Sequence, residues 1–289
     1  MRLAAAWLAC ALCASGARAV DLKPETVQAF DRYIRETETR LQAQVAPGAK
    51  FLWTDEAAER AARVRQGQPV IENRTEQGTL AVPGGLIHDW IGAVFIPGVN
   101  LQKTLAFVQD YDHNQDNYKP EVLSSRLVSR HGNDFQIHLR LMKHKVITVI
   151  LDTDYDVRYF PLDGGRCHSR AYSTRIAEVQ NAGKPDERTL PPGQDSGFLW
   201  RLYSYWRFQE RDGGVYVECE AISLTRPIPV GVGWLIQPIV TSLPRESLEN
   251  TLHDVAHALM RAVSRLVATP SPPVALQSAR SAPWYSTKR

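Results

Sequence analysis

Four cysteines in 289 residues are too few for a disulfide-built fold. Two of them, Cys10 and Cys13, sit in an N-terminal segment that reads as a removable leader. Neither sign of charge is in excess, with 34 Lys and Arg against 31 Asp and Glu. Without Arg2 and Arg18 the remaining 270 residues carry a formal charge of +1, which argues against the basic stripe of a nucleic-acid binder. The apolar run Leu3–Ala14 has 12 residues, short of the roughly 20 that a membrane-spanning helix needs. No G-x-S-x-G elbow is present, and Val230-Gly231-Val232-Gly233 is an incomplete phosphate-loop fingerprint.

What is present begins with a secretory signal: Arg2, the short apolar run, and Ala17-Arg18-Ala19 as an A-x-A site that places cleavage between Ala19 and Val20. Export, to the periplasm or beyond, is the expectation. Residues 24–45 repeat apolar side chains at helical spacing (Val27, Phe30, Ile34, Leu41, Val45), and 55–65 read as a short, charged second helix on the surface. From Gln68 the period changes to two. Strands are expected near 68–75, 85–96, 122–131, 134–143, 146–160, 165–180, 198–211 and 214–226, with one helix at 101–110. The last six strands follow one another without a helix, the pattern of an antiparallel meander.

Asp212-Gly213 fits a two-residue hairpin turn. It pairs Phe208 with Val217, Trp206 with Cys219, Ser204 with Ala221 and Leu202 with Ser223, leaving Arg207 against Glu218 and Tyr205 against Glu220 on the other face. Upstream, Phe135, Ile137, Leu139 and Leu141 share a face, as do Ile147, Val149, Leu151, Tyr155, Val157 and Tyr159. Cys167, Ser169, Ala171, Ser173, Ala177 and Val179 form a small-residue face that also takes in Arg175. From Pro244 or Ser247 to Ala268 a helix carries Leu248, Leu252, Val255, Ala256, Leu259, Val263, Leu266 and Val267 on one stripe. Residues 269–289, with four prolines and no acid, read as a disordered tail.

This order, with the segments HDWIGAVFIPG (His88–Gly98), NLQKTLAFVQDYD (Asn100–Asp112) with YKPEV after it, and RPIPVGVGWLIQPIVTSLPRESLENTLHDV (Arg226–Val255), resembles the START/SRPBCC superfamily, in particular bacterial secreted START-like proteins of unassigned activity. The resemblance covers residues 68–268. It implies an α+β helix-grip fold, in which a curved antiparallel sheet of about eight strands wraps a long C-terminal helix, with the N-terminal helix added. The expected division is a 1–19 leader, one domain over 20–268 and the tail. It further implies an apolar cavity for a lipid or other hydrophobic small molecule, lined by Leu139, Leu151, Tyr155, Arg175, Trp200, Leu202, Trp206, Cys219, Leu252 and Leu259. A cyclase- or hydrolase-type enzyme of the same fold, or a scaffold with a filled core, are the alternatives. No catalytic residue, cofactor or integral membrane association is implied, and the oligomeric state stays open.

Three further clusters invite chemistry. His253 and His257 have the i, i+4 spacing of a helical zinc site, but Asp254 replaces the usual Glu and no third ligand follows, so no metal is expected. Asp110, Asp112, His113 and Asp116 lack the Gly and Glu of a calcium loop and read as a polar turn. Arg175 either anchors an anionic ligand group, pairs with an acid, or reaches solvent from a strand end.

Overall fold

The computed structural model describes residues 22–76, 78–144, 148–191, 194–227 and 233–268, and in the last stretch side chains only from 242 to 262. The expected leader, its cleavage site, the 269–289 tail, Ile147 and the side chains of Val263, Leu266 and Val267 lie outside the described residues.

Helix α1 (Pro24–Gln44) starts with proline in its first turn, where the missing N–H costs nothing. A 3-10 turn (Trp53–Glu56) and helix α2 (Ala58–Arg65) follow. Then come β1 (Val70–Asn73), β2 (Leu80–Val82), β3 (Gly85–Pro97), α3 (Leu101–Val108), α4 (Asn114–Asn117), β4 (Val122–His131), β5 (Asp134–His144), β6 (Thr148–Pro161), β7 (Arg166–Gln180), β8 (Arg188–Thr189), β9 (Arg201–Arg211), β10 (Gly214–Thr225) and α5 (Gly233–Ala268). The main path of the sheet runs β1-β3-β10-β9-β7-β6-β5-β4, with β2 beside β3 and β8 beside β7, and every pairing is antiparallel.

Eight strands match the expected ones; β2 and β8 are too short for alternation to reveal. The β9–β10 register is the expected one, from Gly214 opposite Arg211 to Ser223 opposite Leu202. Asp212 and Gly213 both take positive φ, 58° and 77°, as a hairpin turn of this twist requires. Helix α5 begins well before Pro244. It runs through Pro238 and Pro244, residues that a sequence reading treats as barriers because they lack the N–H.

Helices pack on both faces of the sheet. On the inner face α5 lies over β3, β10 and β1, burying Leu248, Leu252, Val255 and Leu259 against Val94, Ile96, Val215, Val217 and Cys219. On the outer face α1 buries Phe30, Ile34 and Leu41 against Ile87, Ile222 and Leu224. Beside it Phe51, Leu52, Trp53 and Val64 pack on Ile91, Ala93 and Tyr216. The charged face of the hairpin is therefore interior. Arg207, Glu218 and Glu220 are 4%, 1% and 1% exposed.

Candidate functional site

Helix α5 covers only part of the inner face. Leu127, Leu139, Ala171, Leu202 and Trp206 on β4, β5, β7 and β9 point inward, yet all stay partly exposed where they pack at the rim of the main core. Beneath them the wall is made of small side chains: Ser169 stands opposite Trp206, and Ala171 opposite Ser204. An apolar trough results, with the sheet as floor and α5 as one wall.

The far wall is tied to the helix by a polar clasp. Lys143 Nζ, from β5, donates to Ser247 Oγ of α5 at 2.5 Å and to Glu121. Ser247 Oγ and Asn250 Nδ2 also donate to Glu121, each at 2.8 Å. Burial pushes the Glu121 carboxyl up, but the Lys143 ammonium and these hydrogen bonds outweigh it and hold the group below its ordinary range. At the end of the sheet where β6 starts and β7 stops, an open concavity of about 1270 Å³ is bordered by Val149, Ile150, Val179, Leu190 and Phe198, with Glu178 among its polar groups. The Glu178 carboxylate accepts from Ser196 N at 2.9 Å and thereby fixes the connection to β9.

The ten residues expected to line one cavity divide into groups. Leu139, Leu202 and Trp206 are in the trough. Leu151 and Tyr155 share its inner face but are buried, Leu151 with Val122 and Leu141, Tyr155 with Val157. Cys219, Leu252 and Leu259 lie in the closed contact between α5 and the sheet. Two are elsewhere. Trp200 belongs to the outer cluster with Phe30, Ile34 and Tyr205, because β9 starts only at Arg201 and its alternation does not extend back to residue 200. Arg175 is on the outer face, half-exposed, 3.4 Å from Asp154. A bulge is responsible: Asp154 faces Arg175 while Tyr155 faces Ser173, so Thr174 is the extra residue and every later β7 side chain changes sides. Arg175 cannot anchor a ligand on the inner face, and Ala177 and Val179 leave the small-residue face with it.

The other clusters resolve plainly. His253 and His257 stand on the exposed side of α5 with ring centroids 3.9 Å apart. Asp112 Oδ1 accepts from Leu127 N at 2.8 Å and His113 Nδ1 lies 2.7 Å from Asp110, so this turn is tied to β4. Cys167 and Cys219 are free and buried. Their register partners Phe208 and Trp206 are both on β9, which places that strand between them, about 10 Å of strand spacing and beyond disulfide reach. Burial pushes the Cys167 thiol up to about 11 and the Cys219 thiol well above its ordinary value. No helix among the described residues is long and apolar enough to cross a membrane.

A reading of single strands missed His88 and Trp90, although alternation along β3 sets them on the inner face with Gly92, Val94 and Ile96. It also missed Leu127, which lies between two irregularities of the β4–β5 ladder.

No family model and no curated protein matches the chain. Among solved structures it is similar to a protein of Thermus thermophilus, with 16% identity and TM-score 0.44 over 60% of this chain and 97% of that one. It is similar to a STAR-related lipid transfer protein from Xanthomonas axonopodis, with 17% identity and TM-score 0.43 over 65% and 98%. It is also similar to the Zhui aromatase/cyclase from Streptomyces sp. R1128, with 12% identity and TM-score 0.40 over 63% and 96%. Its own topology, a meander continued through β10 and β3 with the long C-terminal helix packed on part of its inner face, is of the helix-grip type.

Proposed function

We propose that the protein is an exported binding protein that holds a lipid or other hydrophobic small molecule in the trough between α5 and the inner face of β4, β5, β6, β7 and β9. The observation that carries this reading is the partial exposure of Leu127, Leu139, Leu202 and Trp206, apolar side chains on the inner face of a sheet on which α5 seals only the β1–β3–β10 side. Water-exposed apolar surface inside a concavity is costly unless something covers it. The small residues Ala171 and Ser204, both partly exposed, leave room for that molecule. Export rests on the A-x-A site behind a short apolar run.

The test is organic extraction of the purified protein followed by mass spectrometry, with titration of a fluorescent lipid into the extracted protein. A co-purified hydrophobic molecule, displaced by the probe and excluded by Ser204→Phe, is the expected result. Absence of both co-purified ligand and probe binding in a correctly folded sample would refute the reading.

A further inference from the structure

Glu178 ends a row of inner-face partners that runs from Leu141 through Leu151 across β5, β6 and β7. It is 9% exposed. Ser196 N and Phe198 N donate to its Oε1 at 2.9 and 3.5 Å, and Asp195 brings a second negative charge close by. Burial raises the Glu178 carboxyl, the Asp195 charge adds to that effect, and the hydrogen bonds offset only part of it. A carboxylate this buried is normally paired with a cation. No lysine, arginine or histidine among the described residues forms an ion pair with Glu178.

The second oxygen of this carboxylate has room in front of it. Oε2 makes no hydrogen bond among the described residues, and it is not one of the unpaired polar atoms sealed from solvent. It therefore opens on the concavity of about 1270 Å³ that Glu178 borders. The walls there are apolar: Leu123 and Phe198 are exposed, and Val149, Ile150 and Leu190 are partly so. Of the cations at its edge, Arg140 is held by Asp152 at 2.9 Å and by Glu187 at 2.6 Å. Lys184 and Arg188 stand on the exposed connection between β7 and β9, where Arg188 Nε donates to Gln180 at 2.8 Å. The site thus has an acid inside, apolar walls and positive charge only at its rim.

We propose that this concavity is a second binding site, for an amphiphilic primary ammonium compound. The ammonium group donates to Glu178 Oε2 and supplies the charge that the carboxylate is otherwise buried without, while the apolar body lies on Val149, Ile150, Leu190 and Phe198. None of these residues lines the trough, so the proposal goes beyond the trough reading and does not depend on it. A quaternary ammonium has no hydrogen to donate, an alcohol lacks the charge, and an alkyl carboxylate meets Glu178 with a charge of the same sign.

Octylammonium, octyltrimethylammonium, octanol and octanoate, titrated into the extracted full-length protein at pH 7 by calorimetry, make the test. Octylammonium is expected to bind about tenfold more tightly than the other three, the scale of one charge-assisted hydrogen bond. Glu178→Gln keeps an oxygen for the Ser196 amide and should bring octylammonium down to the affinity of octanol. The carboxyl ¹³C resonance of Glu178 should move toward its ionised position on adding octylammonium and stay in place on adding octanol. Binding should persist in Ser204→Phe; its loss there would put the probe in the trough and overturn the proposal. Equal affinities, no binding, or octanoate binding tightest through the rim cations also overturn it, and each leaves the trough reading to its own test. Should Glu178→Gln fail to fold, the wild-type series and the carboxyl resonance still decide.

Discussion

At Gly92 the sheet and α5 come so close that a Cβ would lie 2.6 Å from Leu252 Cδ1 and 3.1 Å from Ile71 Cγ1. The side of the grip formed by β3 is closed by this contact, and Gly92→Ala is expected to lower stability by about 1–3 kcal/mol, measured by chemical denaturation. Asp89 poses an electrostatic case on the outer face. Burial, then the neighbouring charge of Glu220, raises its carboxyl from 3.8 to about 8, against smaller opposing effects of the Tyr33 hydrogen bond, Arg40 and Arg74. Because the folded value lies above the unfolded one, its contribution is fully present below about pH 4 and is lost as pH rises through about 8. The melting temperature of the wild type should therefore fall more steeply between pH 5 and 8 than that of Asp89→Asn; parallel curves would contradict the shift. Cys167 and Cys219, buried and with raised thiols, should resist alkylation until the chain unfolds, as read by peptide mass spectrometry.

Among the elements, α1 turns a charged sheet face into an interior. Arg40 pairs with Glu220, Tyr33 Oη donates to Asp89 Oδ2 at 2.7 Å, and Tyr205 Oη donates to Glu38 at 3.0 Å. The turn before α2 adds two backbone donors, Trp53 N and Thr54 N, to Glu218 at 2.9 and 2.8 Å. Burial lowers the Arg207 guanidinium, and the charges of Glu218 and Glu220 oppose that effect. Phe30, 1% exposed, is the apolar centre of the contact, so Phe30→Ala should cost about 3–5 kcal/mol in denaturant titrations. Alternation displayed Arg207, Glu218, Tyr205 and Glu220 as one face, and correctly so. It could not show that this face is covered, because charge at every second position is also how a solvated face looks. The Thr174 bulge escaped for a related reason: the residues before and after it alternate normally, and only the pairing with β6 shows the slip that turns Arg175 outward.

For the molecule as a whole, the C-terminal helix covers part of the inner face and leaves the trough beside it, so filling the trough should separate binding from stability. Ser204→Phe should abolish uptake of an apolar probe while leaving the melting temperature close to wild type, since Ser204 is only partly buried. The sequence by itself determined the strand series, the Asp212-Gly213 register and the apolar stripe of α5, because these follow from local periodicity and turn geometry. It also placed Leu139, Leu202 and Trp206 on the inward side. Tertiary structure alone decided that the charged face of the β9–β10 hairpin is buried under α1, and that Trp200 and Arg175 lie away from the trough. Those outcomes depend on which segments, distant in the chain, pack against each face, and no local period encodes that.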